Sequence, residues 1–186
     1  MAARRVRAYV GLGANVGDPR ENLRLAVQAL SALPDVSLRG VSRLYSTKPV
    51  GVIDQPNFFN AVISLEVPAG PNPETGALAL LAALKSVEQA LGRQARQRWG
   101  PREVDLDLLL FGRNVIKIGR PDGHWLAVPH EQAHERLFVL APLSDLAPGL
   151  RPPGWGETVS SARGRQESAE GPDAVRVVAG RDWADG

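Results

Sequence analysis

The 186 residues contain no cysteine, which excludes disulfides, zinc–thiolate centres and cysteine nucleophiles. Long apolar runs are missing as well. No window approaches the ~20 apolar residues of a membrane span. The basic start, MAARRVRAYVGLGANVG, has no apolar stretch of signal-peptide length. A cytoplasmic protein without membrane contact is therefore expected. Neither sign of charge dominates: 22 basic residues face 20 acidic ones, a formal net charge of +2, so where the arginines cluster says more than their number. Histidines are few (His124, His130 and His134), and neither thiols nor a nearby carboxylate set completes a zinc site around them. A Walker A loop is absent, because the early GLGANVG lacks the Lys-Ser/Thr ending, and it carries little weight as a phosphate cradle. Aromatic residues amount to 5%, so the position of each one is informative. What is present, 44% hydrophobic and 23% charged residues, suits one domain with a substantial core.

The order of elements follows from local signals. Ala8 to Gly13 is a short buried strand ending in a glycine-rich turn, and Asp18-Pro19 starts a helix as N-cap and first residue. Strand-like runs follow at Val36 to Tyr45 and Phe58 to Val67, joined by the long loop STKPVGVIDQPN. Glu74 to Leu91 reads as a second helix closed by Gly92, and an arginine-rich loop leads into a strand over Val104 to Phe111. This β-α-β-β-α-β order predicts an α+β sandwich of ferredoxin-like type with an antiparallel sheet. Leu126 to His130 is a short extended piece, and Glu131 to Leu143 is expected to be helical. Residues 1–150 are expected to form the single domain. Residues 151–186, in which Val175 to Val178 is the one strand-like fragment, read as a loosely ordered C-terminal tail.

The stretch RWGPREVDLDLLLFG sets two aspartates inside an apolar strand. Side chains two apart on a strand share a face, so Asp105 and Asp107 stand side by side while Val104, Leu106 and Leu108 face a core. A half-exposed strand with a wet polar face accounts for this pattern. So does a pair of carboxylates built around a cation. Arg93, Arg96, Arg98 and Arg102 lie just upstream. They read either as a solvated charge run or as bidentate phosphate grips. Arginines and paired aspartates together suit a magnesium-bound nucleoside triphosphate better than either does alone. His130 precedes the expected helix in a position suited to phosphate, with Arg136 six residues on, and Trp99 among the arginines is placed to stack on a flat ring.

RWGPREVDLDLLLFG is similar to the signature of the 6-hydroxymethyl-7,8-dihydropterin pyrophosphokinase family of the folate pathway. YVGLGANVGDPRENL, STKPVGVIDQPNFFNAVISLE and VPHEQAHERLFVLAPLSDLAP resemble further blocks of that family, in its order, over most of residues 8–148. The resemblance implies transfer of pyrophosphate from ATP to the hydroxymethyl group of a reduced pterin. It implies two Mg²⁺ ions on Asp105 and Asp107, with Arg93 and Arg102 acting alongside them. The pterin would be held by Asn60, by backbone groups of Thr47 and Val50, and between Phe58 and Phe138, with Trp99 beside it. Glu88, Arg96, Trp99, Arg102, His130 and Arg136 would line the ATP side, and Leu108 would meet adenine through its backbone. Phe58 replaces a frequent tyrosine, and Arg96 stands one position later than the family's second loop arginine. The loop from Gly92 to Gly100 is expected to order over bound ATP. Removal of residues 152–186 is expected to leave pterin affinity unchanged, and the chain is expected to be a monomer that binds no nucleic acid. An RNA-binding module on the same sheet would need exposed aromatics where aspartates stand. A metal-dependent phosphodiesterase would also use paired carboxylates.

Overall fold

The computed structural model of the chain describes residues 4–52, 54–92, 100–119, 121 and 123–185. Strand β1 (Arg5–Ala14) runs through the middle of the sheet. Among the later strands, β4 (Phe58–Pro68) and β5 (Asp105–Phe111) flank it, both antiparallel. On the outer side of β4 pair β2 (Ser37–Val41) and β3 (Leu44–Thr47), so the order β5-β1-β4-β3 is the antiparallel ferredoxin-like arrangement expected. The single strand expected over Val36 to Tyr45 is thus two. Buried Ser42 separates them: its hydroxyl accepts the Val62 N–H at 2.9 Å and donates to the Arg43 carbonyl at 2.7 Å, replacing ladder bonds with side-chain ones.

Helices α1 (Pro19–Ser31) and α2 (Pro73–Ala90) begin as their sequences dictate. Asp18 and Asn72 accept from the N–H groups of Glu21 (3.1 Å) and Thr75 (2.9 Å), and each is followed by proline. Leu23, Leu30, Leu80 and Leu84 pack on Val10, Leu106 and Leu108 to make the larger core on one face. The smaller antiparallel pair β6 (Ile116–Gly119) and β7 (Trp125–Val128) follows β5. The opposite face is covered by α3 (Leu137–Leu146) and α4 (Val159–Glu170), whose Val139, Leu143 and Val159 meet Val62, Leu109 and Leu110. The helix expected from Glu131 is broken. A 3-10 turn spans Ala133–Glu135, and Arg136 is extended before α3 begins. Asp145 of α3 accepts from Arg43 (2.8 Å) and the Tyr45 hydroxyl (2.9 Å), fastening the helix to β3. Burial would raise the Asp145 carboxyl, but these donors outweigh it and hold the group below its ordinary range.

The expected loosely ordered tail is corrected by the structure. Residues 151–185 include α4, the strand β8 (Val175–Ala179) paired antiparallel with β3 at the sheet edge, and a single-turn helix, Arg181–Ala184. Trp183 is 2% exposed and enters the larger core, its indole N–H donating to the Ser42 carbonyl at 2.8 Å. The segment is polar on average, yet Val159 and Ala162 on α4 and Trp183 beyond β8 anchor it at two separated points. Composition does not reveal such sparse anchors.

Candidate active site

The register of β1 builds the floor of the site. Gly13 lies opposite Asp105 and Gly11 opposite Asp107, and on the other side Gly13 lies opposite Asn60 of β4. Cross-strand partners share a face, so the two carboxylates and the Asn60 amide surround a strip of backbone that carries no side chain. A Cβ on Gly13 would come within 3.2 Å of the Asn60 Oδ1. A bulge between Tyr9 and Val10 shifts β5 by one residue at Leu109. The Leu109 carbonyl accepts the His130 N–H at 2.9 Å, bringing His130 to the edge strand.

A cleft of about 830 Å³ opens above this floor. It is lined by the carboxylates of Asp105 and Asp107, by Arg102, His130 and Arg136, and by Thr47, Val50, Phe58, Asn60 and Phe138. Ten of the expected site residues therefore converge on one cavity. The Asn60 amide donates to the Thr47 hydroxyl at 2.7 Å, and both side chains are buried. The Arg136 guanidinium lies 5.5 Å above the Phe138 ring and donates to Gln132. Arg102 is fixed through its backbone: its N–H donates to Asn15 Oδ1 at 2.8 Å, and its carbonyl accepts from Asn15 N–H at 2.9 Å. The Asn15 amide also donates to Gln55 (2.9 Å) and the Pro56 carbonyl (3.0 Å), joining the Arg102 segment to the proline loop.

The electrostatics suit a cation. Burial, then the adjacent Asp105 carboxylate, pushes the Asp107 carboxyl up to about 7, while Lys85 and Arg136 oppose the shift. Two adjacent carboxylates thus face the cleft side by side. Burial and the nearby Arg136 push the His130 imidazole below its usual value, so it is neutral near pH 7. Among the described residues no group of three or more His, Asp or Glu side chains converges on a point. Two carboxylates facing a cleft fit Mg²⁺, which keeps water and substrate phosphate oxygens as its remaining ligands.

One expectation needs correction. Glu88 does not line the cleft. It is 1% exposed on α2, where Oε1 accepts the Leu106 N–H at 2.7 Å between the two aspartates and pairs with Lys85 at 3.3 Å. It supports the strand rather than facing a nucleotide. Leu108 buries its side chain in the larger core, as the strand pattern predicts, and leaves its backbone for a ligand. Arg93, Arg96 and Trp99, and with them the expectation about the arginine loop, lie outside the described residues. Lys85, Gly11, Gly13 and His124 also line the cleft and were not anticipated. Glycines two apart on a strand opposite an Asp-x-Asp strand were the available signal. Lys85 had a weaker one, its i,i+3 spacing from Glu88 on a helix beside the edge strand.

An α+β sandwich that gathers paired carboxylates, arginines and a buried amide in one cleft has the chemistry of a phosphoryl-transfer domain. The model of the 7,8-dihydro-6-hydroxymethylpterin-pyrophosphokinase (HPPK) family matches residues 9–148. The 2-amino-4-hydroxy-6-hydroxymethyldihydropteridine pyrophosphokinase of Pseudomonas aeruginosa is 45% identical over 147 residues, 79% of this chain and 84% of the relative. The Bacillus subtilis protein of the same name is 41% identical over 139 residues, 75% of this chain and 77% of the relative. The chain belongs to the HPPK family. Its fold is shared with the wild-type Plasmodium falciparum HPPK-DHPS crystallised with pterin and p-hydroxybenzoate, at a TM-score of 0.71 and 15% identity. That match covers 91% of this chain but 44% of the longer Plasmodium chain.

Proposed function

We propose that the chain transfers the β,γ-diphosphate of ATP to the hydroxymethyl group of 6-hydroxymethyl-7,8-dihydropterin, giving the pterin diphosphate and AMP. The observation that carries the reading is the placement of Asp105 and Asp107 opposite bare Gly13 and Gly11, in the cleft that also holds Asn60 and Phe138. Asp105 and Asp107 would hold two Mg²⁺ ions. Bound there, Mg²⁺ supplies positive charge to the phosphate oxygens.

The remaining work falls to the chain's own groups. Thr47 takes one N–H of the Asn60 amide, which leaves Oδ1 and the second N–H for the donor–acceptor edge of the pterin. Backbone groups of Thr47 and Val50 extend that edge. Phe58 and Phe138 offer faces to the ring, and Trp99 adds a further aromatic surface. Arg102, His130 and Arg136, with Arg93 and Arg96, bind the triphosphate oxygens, and the Leu108 backbone meets adenine. The substrate hydroxyl oxygen bonds to the β-phosphorus as the bond from that phosphorus to the α–β bridging oxygen breaks. The hydroxyl proton passes to solvent, and AMP leaves. Positioning and electrostatics carry such a transfer, so no strong base is required.

Chromatography of a reaction quenched before completion tests the reading. AMP and a pterin carrying two phosphates should appear one-for-one. ADP with a pterin monophosphate would overturn the assignment of the bond that breaks. The expected monomeric state and cytoplasmic location are tested by sedimentation and by cell fractionation.

A further inference from the structure

The cleft is braced by a segment beyond the family match, which ends at residue 148. Glu170, the last residue of α4, reaches α3. Its Oε1 accepts the N–H of Leu137 at 3.1 Å and the side-chain N–H of Gln166 at 2.8 Å. Leu137 is the first residue of α3, and Arg136, its N-cap, makes no side-chain capping bond. The cap is therefore supplied from 33 residues away. A carboxylate at that end also meets the positive pole of the helix. The amide it holds lies between Arg136 and Phe138, which are in contact with one another. The same segment grips the opposite wall, because β8 pairs with β3 in a register that sets Val175 opposite Thr47, the partner of Asn60. Glu170 lines the cleft, and residues 171–175 wall a side chamber of about 520 Å³ that opens on Thr47, Val50 and Phe138.

We infer that Glu170 is a positioning residue for the pterin site: by capping α3 from outside the family segment it fixes the backbone that carries Phe138 and Arg136. The role rests on the pterin reading of the cleft. It requires only an acceptor oxygen at the Leu137 amide, so glutamine should serve nearly as well as glutamate.

The full chain carrying Glu170→Ala or Glu170→Gln tests this, with pterin binding measured by calorimetry and amide exchange followed at Leu137. Glu170→Ala should weaken pterin binding about five- to tenfold, the factor that a typical lost cap represents. Exchange at Leu137 should accelerate with it. Glu170→Gln should restore both to within about twofold of the parent, since its amide oxygen still accepts. Pterin affinity unchanged in Glu170→Ala overturns the inference. Equal weakening in both variants also overturns it, because an acceptor oxygen at the Leu137 amide would then not account for the effect. If the parent chain binds no pterin while Leu137 exchange still responds to Glu170→Ala, the cap stands and the pterin reading falls, taking the positioning role with it.

Discussion

Replacing Asp107 with asparagine should stabilise the metal-free protein while abolishing its activity. Burial and the Asp105 carboxylate push the Asp107 carboxyl up to about 7, whereas an aspartate in the unfolded chain titrates near ~3.9. Between these values the folded chain holds a proton that the unfolded chain has released. Stability therefore falls as pH rises through this window and is level above it. The full difference corresponds to about 4 kcal/mol. Part of the shift comes from the neighbouring Asp105 carboxylate, so roughly 2–4 kcal/mol is the expectation. Asparagine is neutral throughout and escapes the loss. For a chain of this size the gap corresponds to a midpoint about 6–12 °C higher for Asp107→Asn than for the parent above neutral pH. The measurement is thermal unfolding in EDTA at about pH 4.5 and about pH 8, read as the difference between the two proteins so that other titrations cancel. Most of the gap should open between those values. Magnesium with a non-hydrolysable ATP analogue should raise the parent more than the variant. A gap that is constant with pH, or a variant less stable than the parent at the higher pH, would refute the picture of a buried Asp107 carboxyl raised by burial and its neighbouring carboxylate.

Gly76→Ala places a Cβ 2.2 Å from the Ala69 carbonyl oxygen. It should cost about 2–3 kcal/mol in urea unfolding, reversing the ~1 kcal/mol that alanine normally gains inside a helix. Asn15→Ala removes the amide that joins Gln55, Pro56 and Arg102; a loss of about 2–3 kcal/mol should accompany weaker ATP binding in calorimetry. Trp183→Ala should cost about 3–5 kcal/mol, because the indole is buried and its N–H bond to Ser42 is lost. Deletion of residues 152–186 should be more damaging still and should weaken pterin binding. That reverses the expectation drawn from the sequence, and a stable truncated chain with full pterin affinity would restore it.

Much of this molecule is written in short-range signals. Asp18-Pro19 starts the helix it announces, and the second helix begins within a residue of its expected start at Glu74. The period-two alternation around Asp105 and Asp107 placed both carboxylates on the face away from the Leu106 core, because strand geometry alone fixes which side chains share a face. Other features depended on partners far along the chain. The family resemblance implied a nucleotide contact for Glu88; only the packing of α2 on β5 shows that its Oε1 accepts the Leu106 amide. Gly11 and Gly13 became part of the site through strand register, which pairs residues almost a hundred apart. The C-terminal segment was misread for a related reason. Its order comes from a few buried anchors and from hydrogen bonds to β3, α3 and Ser42. Local composition measures how much apolar surface a segment carries, whereas tertiary structure decides whether a cavity and an unpaired strand edge exist to receive it.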